Sequence, residues 1–348
     1  MLLSLCLRVT GLLLLSASLS GCYYLQAAGG QLSVMNKRVP IDEVIEDTAT
    51  PAELARRLAL IRDAREFASA ALALPDNKSY RSFSDLERDY VVWNVVAAPE
   101  FSVESQTWCF PVAGCVGYRG YFNKAAAERK ARKLARQGND VFVAGVAAYS
   151  TLGRFSDPVL STMLRWEDDR IVAVLFHELA HQVLYIKNDT PFNESFASAV
   201  EEFGIEQWLR QRGKSDQFAA WQRRRTLQQS MTGLVLAARE ELSVVYASGV
   251  NEDAMRERKL RILDKLGADF DALFDEYGVV APEWRSQPLN NARLAVWSAY
   301  ESHVPAFRRL FESCERQFEC FYAAARELSE LDEAERTSRL EALAGGGV

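Results

Sequence analysis

The chain has 348 residues, of which 49% are apolar and 25% charged, and its formal charge is −6. That balance is ordinary for a soluble globular protein, and the length suits one large domain or two modest ones with a sizeable core. The mild acidity argues against nucleic acid as a partner.

The N-terminus is informative first. Arg8 is a thin positive region, followed by a short apolar run from Val9 to Leu19 and then Leu19-Ser20-Gly21-Cys22. A run this short reads as a signal-peptide core rather than a membrane span. Its ending resembles the bacterial lipobox, which implies that Cys22 is acylated and becomes the first residue of the mature chain. Tyr23 in the next position points to the outer membrane where the cell has one, so the expected place is the periplasmic face of that membrane. Residues 1–21 are then the signal, and residues 22–50 a lipidated tether and lead-in segment.

Four cysteines remain: Cys109, Cys115, Cys314 and Cys320. An oxidising envelope favours disulfides among them. Sequence alone allows three connectivities. Cys109–Cys115 with Cys314–Cys320 is preferred because each closes a short loop. A four-thiol zinc site is the rival, and neither spacing is the tight C-x-x-C kind.

Taken in chain order, residues 51–74 predict an amphipathic helix. Thr50 suits its cap, Pro51 its first turn, and Leu54, Leu58, Ile61 and Phe67 its buried stripe. A second helical stretch is expected over about 82–90. Tyr90 to Val96 reads as a strand, as does Gln106 to Val112. Gly114, Gly117 and Gly120 punctuate a turn-rich segment that lacks the Lys-Ser/Thr of a phosphate loop. Lys124 to Gln137 predicts a polar helix ending at Gly138, and Asp140 to Thr151 a strand. From Arg170 onward the apolar spacing is almost entirely helical: Glu202–Arg212, Asp216–Ala247, Glu252–Leu266, Leu289–Tyr300 and Pro305–Glu341. The fold class expected is α+β, predominantly helical. A catalytic region spans 51–212, and a helical region, 213–348, packs on it without a visible linker.

Only three histidines occur, His177, His181 and His303. Two of them stand four apart, with Glu178 directly after the first. On a helix, residues i and i+4 share one face, so two imidazoles can hold one zinc at about 2.0–2.1 Å. Glu178 is rotated roughly 100° from His177 and can act as general base toward a water there. Ile171 to Phe176 and Val183-Leu184 make this helix apolar nearly all round, with Asp168 or Asp169 near its N-terminal cap. A third ligand is needed, and Asp189, Glu194, Glu201, Glu202 and Glu206 are the acidic candidates. Glu194 is preferred, in the first turn of a new helix after Pro191. Glu201, seven residues on, is either the rival ligand or the group that fixes a histidine tautomer. His303 has no accompanying motif and reads as structural.

Asn193-Glu194-Ser195-Phe196-Ala197 resembles the segment that supplies the third ligand in gluzincin peptidases. The loop from His181 to Glu194 is shorter here than is usual in those enzymes. VLFHELAHQVLYIKNDTPFNESFASAVEEFG, with the upstream GCVGYRGYF and GVAAYSTLGRFSDPVL and the later NNARL, resembles a largely uncharacterised family of bacterial aminopeptidases, often lipoprotein-like. The resemblance covers nearly the whole mature chain. It implies a zincin-like fold, one Zn²⁺ per chain and a peptide substrate. It also implies an edge strand over the metal that pairs with substrate backbone, for which Val141 to Thr151 is placed, although the same residues read equally as a core strand. A phenol to stabilise the oxyanion is expected too: Tyr246 by its distance downstream, with Tyr149 and Tyr300 as competitors. Two other readings stand beside this one. One is an endopeptidase; the other is a non-catalytic envelope scaffold with a structural or vestigial zinc site.

Overall fold

A computed structural model describes residues 23–110, 114–280, 287–298 and 303–345. The signal segment, Cys22 and Tyr300 lie outside the described residues. The expected α+β, mainly helical class is what the chain adopts. Among the described residues no helix is long and apolar enough to cross a membrane.

Residues 23–36, expected as a tether, form helix α1. Tyr23 packs on Phe110 and Tyr121, with the Arg119 guanidinium 3.9 Å from its ring centre. Gly30 meets Phe122 so closely that a Cβ would fall 2.1 Å from the ring. Val34 is buried. These contacts offset the entropy cost of ordering the segment, which sequence periodicity alone could not reveal. Strand β1 (Arg38–Pro40) and the short α2 (Ile41–Glu46) follow.

Helix α3 (Ala52–Ala71) begins one residue past Pro51, within the usual uncertainty of helix ends. Leu58 and Ile61 of its predicted stripe are fully buried, and Leu54 and Phe67 pack partly buried against the same core. The helix expected near 82–90 does not form. Ser82–Ser84 is strand β2, caught between β1, antiparallel, and β8 (Val159–Leu160), parallel. Asp85 then accepts from the Glu87 amide and turns the chain, with Glu87 in the left-handed region.

A second sheet has the order β6 (Arg119–Tyr121), β3 (Val92–Pro99), β7 (Asn139–Val146), antiparallel throughout. Side chains alternate across it. Trp93, Val95 and Ala97 face α4 (Lys124–Ala135), while Val96 and Ala98 face α9 (Asn291–Ser298). The Asn123 side chain caps α4, and Gly138 closes its end at φ +81°. Strands β4 (Trp108–Phe110) and β5 (Gly114–Val116) form a ribbon closed by the Cys109–Cys115 disulfide. The Gly-rich segment expected as turns therefore supplies two short strands. Strand β7 stops at Val146, short of the predicted Thr151, because Asp157 accepts from both the Thr151 amide and hydroxyl and bends the chain into a loop.

The largest core lies among helices. α5 (Asp168–Ala180) is buried nearly all round, with Ile171, Val172, Leu175, Phe176 and Leu179 inaccessible. It packs along α6 (Thr190–Gln211), one continuous helix that joins the helix expected after Pro191 to the helical stretch expected over Glu202–Arg212. Gly204 lets α6 approach α3 and α5: a Cβ there would meet Leu72 and Phe176 at 2.8 Å. Phe203 stacks on Phe311 at 3.9 Å, and Phe196 stacks on Phe321, joining α6 to α10 (Val304–Ser313) and α11 (Phe318–Glu330). Each such buried ring contributes roughly 1.5–3 kcal/mol.

α7 (Ser215–Ala247) and α8 (Glu252–Tyr277) form a long hairpin with α9 against it, around Leu242, Leu263 and Phe270. The single helical run expected over 305–341 is three helices, α12 (Glu333–Gly345) being the last. The first break carries no Gly or Pro. Glu315 and Arg316 take the left-handed region instead, and the Cys314–Cys320 disulfide spans the turn. Both disulfides match the preferred pairing.

Gly204→Val should destabilise the protein by roughly 1–3 kcal/mol, since Phe176 is wholly buried and has no room to give. Denaturant unfolding followed by far-UV circular dichroism measures this; an unchanged midpoint would show that α3, α5 and α6 are less tightly packed than their contacts imply.

Candidate metal centre

α5 is positioned by ion pairs at its start. Asp168 meets Arg56 at 2.7 Å, and Asp169 pairs with Arg224. Glu167 occupies the cap position, with both aspartates in the first turn, where negative charge suits the helix dipole. The last turn then presents His177, while His181 caps the C-terminus.

The nine-residue connection to α6 is tied down at several points. The Asn193 amide side chain, 1% exposed, accepts from the Ile186 N–H and donates to the Ile186 carbonyl, folding the loop on itself. Asp189 caps α6 by accepting from the Phe192 amide, and Arg336 pairs with its other oxygen at 2.7 Å. Pro191 sits in the first turn. This bracing turns Glu194 back onto α5 across a short loop.

Glu194 lies 3.4 Å from His177 Nε2 and 3.8 Å from His181 Nε2. One donor atom from each of His177, His181 and Glu194 falls within 4.8 Å of the other two. Ligands of one tetrahedral zinc stand roughly 3.3 Å apart, so small side-chain rotations close the set. Two imidazoles and one carboxylate are also the donor chemistry zinc accepts. Glu201 sits on the far side of His177, 3.1 Å from Nδ1. The other acidic candidates are engaged elsewhere: Glu202 with Arg308 at 2.7 Å, Glu206 with Arg316 at 2.6 Å and Asp189 with Arg336. The His303 amide donates to Ser195 Oγ in the first turns of α6, away from the paired imidazoles.

Burial disfavours a charged His177, but hydrogen bonds and charge from Glu194 and Glu201 outweigh it and hold the imidazolium well above its ordinary range. Burial pushes His181 down to about 4, so it stands neutral. Glu178, 9% exposed, is pushed up to about 7 by burial, against the field of His177 and helped by Glu194, Asp157 and Glu201.

Among the described residues, the phenols that feel the field of Glu194 are Tyr118 and Tyr185, rather than Tyr246 or Tyr149. Tyr246 donates to Asn291 Oδ1 at 3.0 Å and packs edge-on against Phe101. The Tyr149 hydroxyl donates to Gln31 of α1. Tyr185, one further turn along the series 177, 181, 185, has its ring 6.3 Å from His181, and burial followed by the field of Glu194 raises its hydroxyl. Tyr118 stands at the turn between β5 and β6, open on one side (37% exposed). Desolvation, then the fields of Glu194, Tyr185 and Glu178, raise its hydroxyl above the ordinary value. The ribbon bearing it is fastened to the metal-side loop, because the Cys115 amide donates to Asn188 Oδ1 at 2.7 Å. Gly114, at φ +75°, is required there: a Cβ would lie 2.4 Å from that oxygen.

Behind Glu178 lies a buried polar seam. Tyr80, fully buried at φ +62°, has Ser150 beside it, and after burial the charges of Glu178 and Asp157 raise it well above its usual value. Asn77 donates to Gln182 at 2.7 Å, one turn beyond Glu178. Tyr185 was detectable from its four-residue spacing, and Tyr118 from the Gly-rich segment around it; nothing local marks Tyr80 or Asp157.

β7 is an edge strand of its sheet rather than a central one. Two of its outward carbonyls are taken, Val141 by the Asn290 side chain and Val143 by that of Gln287. This narrows the edge left for an added strand.

Burial pushes the Asp157 carboxyl up to about 6 from 3.8, opposed by its bonds to Thr151. A raised carboxyl favours folding below its unfolded value and loses that contribution as pH rises through the folded one. Relative to Asp157→Asn, the protein should therefore lose on the order of 2 kcal/mol between about pH 4 and pH 6. Chemical denaturation of both proteins across that range checks the sign; parallel curves would refute it.

A family model described as "Putative aminopeptidase" matches residues 22–340 of the chain. No curated protein and no solved structure matches it.

Proposed function

The chain belongs to the Putative aminopeptidase family, and from that premise we propose that it is a zinc-dependent peptidase, acting as an aminopeptidase on peptides in a bacterial envelope. The observation that carries this reading is the convergence of His177, His181 and Glu194 with Glu178 beside them.

His177 and His181 would hold the zinc through their Nε2 atoms and Glu194 through its carboxylate. Bound there, zinc would polarise the substrate carbonyl and bring the pKa of a water to about 7. Glu178 takes the proton from the attacking water and returns it to the leaving amine; its burial keeps the carboxyl in the range where it can do both. Glu201 accepts from His177 Nδ1, a bond that would hold the tautomer offering Nε2 to the cation once the imidazolium has given up its Nε2 proton. Tyr118, or Tyr185 beside it, donates to the developing oxyanion, the part first expected of Tyr246 or Tyr149.

The anchoring reading rests on Leu19-Ser20-Gly21-Cys22: Cys22 carries lipid and holds the body at the periplasmic face of the outer membrane. The two disulfides support an oxidising compartment.

Glu178→Gln should retain one zinc per chain yet lose about 10²–10⁴ in kcat, whereas Glu194→Gln should weaken zinc binding itself. Metal analysis after dialysis, with hydrolysis of aminoacyl and internally quenched peptides, separates the two. Zinc-loaded wild-type protein that cleaves neither substrate would remove the peptidase reading.

Tyr118→Phe should lower kcat by about 10²–10³ with zinc content unchanged, if it is the oxyanion donor. Should Tyr118→Phe leave kcat intact while Tyr185→Phe lowers it, the role passes to Tyr185; two intact variants would exclude both.

A further inference from the structure

The segment directly after Cys22 is a folded helix with two different faces. Tyr23, Gln26, Gly30, Gln31 and Val34 of α1 point inward. Gln26 bonds to Phe122 N at 3.2 Å and to Gly120 O at 3.4 Å, Gln31 accepts from Tyr149, and Val34 O accepts from Ser84 at 3.0 Å. The outward face carries Tyr24, Leu25 and Leu32, which are 45%, 74% and 59% exposed. Residues 25 and 32 are seven apart and so lie on one stripe, with Ala28 and Gly29 between them.

Residues 23–36 include no Asp, Glu, Lys or Arg. A helix facing water ordinarily carries charge on its outer face, so this stripe is unusual for one left in solvent. Further exposed apolar side chains lie on segments tied to the end of the helix. Arg38 Nε donates to Met35 O and Arg38 Nη1 to Ser156 O, drawing exposed Val39 and Phe155 toward the end of α1. Of the eleven large apolar side chains exposed among the described residues, five belong to α1 or to these two bridged segments, so the exposure is gathered rather than scattered.

We propose that the outer face of α1 lies in the headgroup layer of a lipid bilayer, so that Cys22 seats the folded body directly on the membrane and not on a tether. The inference rests on the lipid-anchor reading above. An acylated Cys22 would place its chains one residue, about 3.8 Å of backbone, from the start of α1. No slack separates lipid from helix, and α1, roughly 21 Å long, must then run close to the surface. Uncharged apolar side chains with a tyrosine near one end suit that layer. Tyr23 also braces β4 and β6, so the ribbon bearing Tyr118 would stand near the lipid.

The test uses the full processed chain in vesicles of phosphatidylglycerol and phosphatidylcholine with brominated acyl chains. Cys109, Cys115, Cys314 and Cys320 are paired, so Leu32→Cys adds a single free thiol for an environment-sensitive fluorophore. Leu260→Cys on exposed α8 is the control. The expected result is flotation with the vesicles and several-fold stronger bromine quenching at position 32 than at 260. Flotation with equal quenching overturns the proposal and leaves the face to a second copy or another protein. Protein that stays in the aqueous fraction removes the lipid-anchor reading, and this inference with it.

Discussion

Everything at the candidate centre depends on one imidazole held between two carboxylates. His177 meets Glu194 through Nε2 and Glu201 through Nδ1, and all three are largely withdrawn from water. Glu194 and Glu201 stand seven apart on α6, and His177 and His181 four apart on α5. The two helical periods thus bring four polar groups into one seam between elements that are otherwise apolar. Buried carboxylates and imidazoles are costly unless paired or bound to a cation, so the seam is tolerable only as a complete set.

The rest of the molecule keeps that set in register. Gly204 and the phenylalanine cluster fix α6 against α3, α5, α10 and α11. Asn193, Asp189 and Arg336 fix the short connection, and competing acids are drawn away by Arg308 and Arg316. On the open side, the disulfide-closed ribbon is pinned to the same connection by Asn188. Rigid support lies beneath His177, His181 and Glu194, and the phenols are carried by turns and loops, a common division between scaffold and site.

The same ribbon links the site to the N-terminus. α1 packs on β6, on Phe122 and on Tyr149, so residues near Cys22 and residues near Glu194 are joined through a few side chains. Attachment at one end would therefore set the orientation of the centre relative to the surface.

The sequence by itself singled out His177, His181 and Glu194 as a group that could hold a cation, with Glu178 and Glu201 near it, because helix geometry converts spacings of four and seven directly into shared faces. It also determined the helical class and a new helix around Pro191, each written in local spacing, and it favoured the disulfide pairs that the fold then closed. Only the tertiary structure decided what distant segments do to one another. The stretch after Cys22 is helical because it finds Phe122 and Val34 finds a core. Residues 82–84 form a strand because β1 and β8 flank them. The break at Glu315 and Arg316 has no Gly or Pro to announce it. Tyr118, rather than Tyr246 or Tyr149, shares the field of Glu194 with Tyr185 because a ribbon some seventy residues upstream folds onto the loop after α5. Local sequence encodes periodicity and caps, whereas long-range docking depends on which surfaces bury each other, and no single segment carries that information.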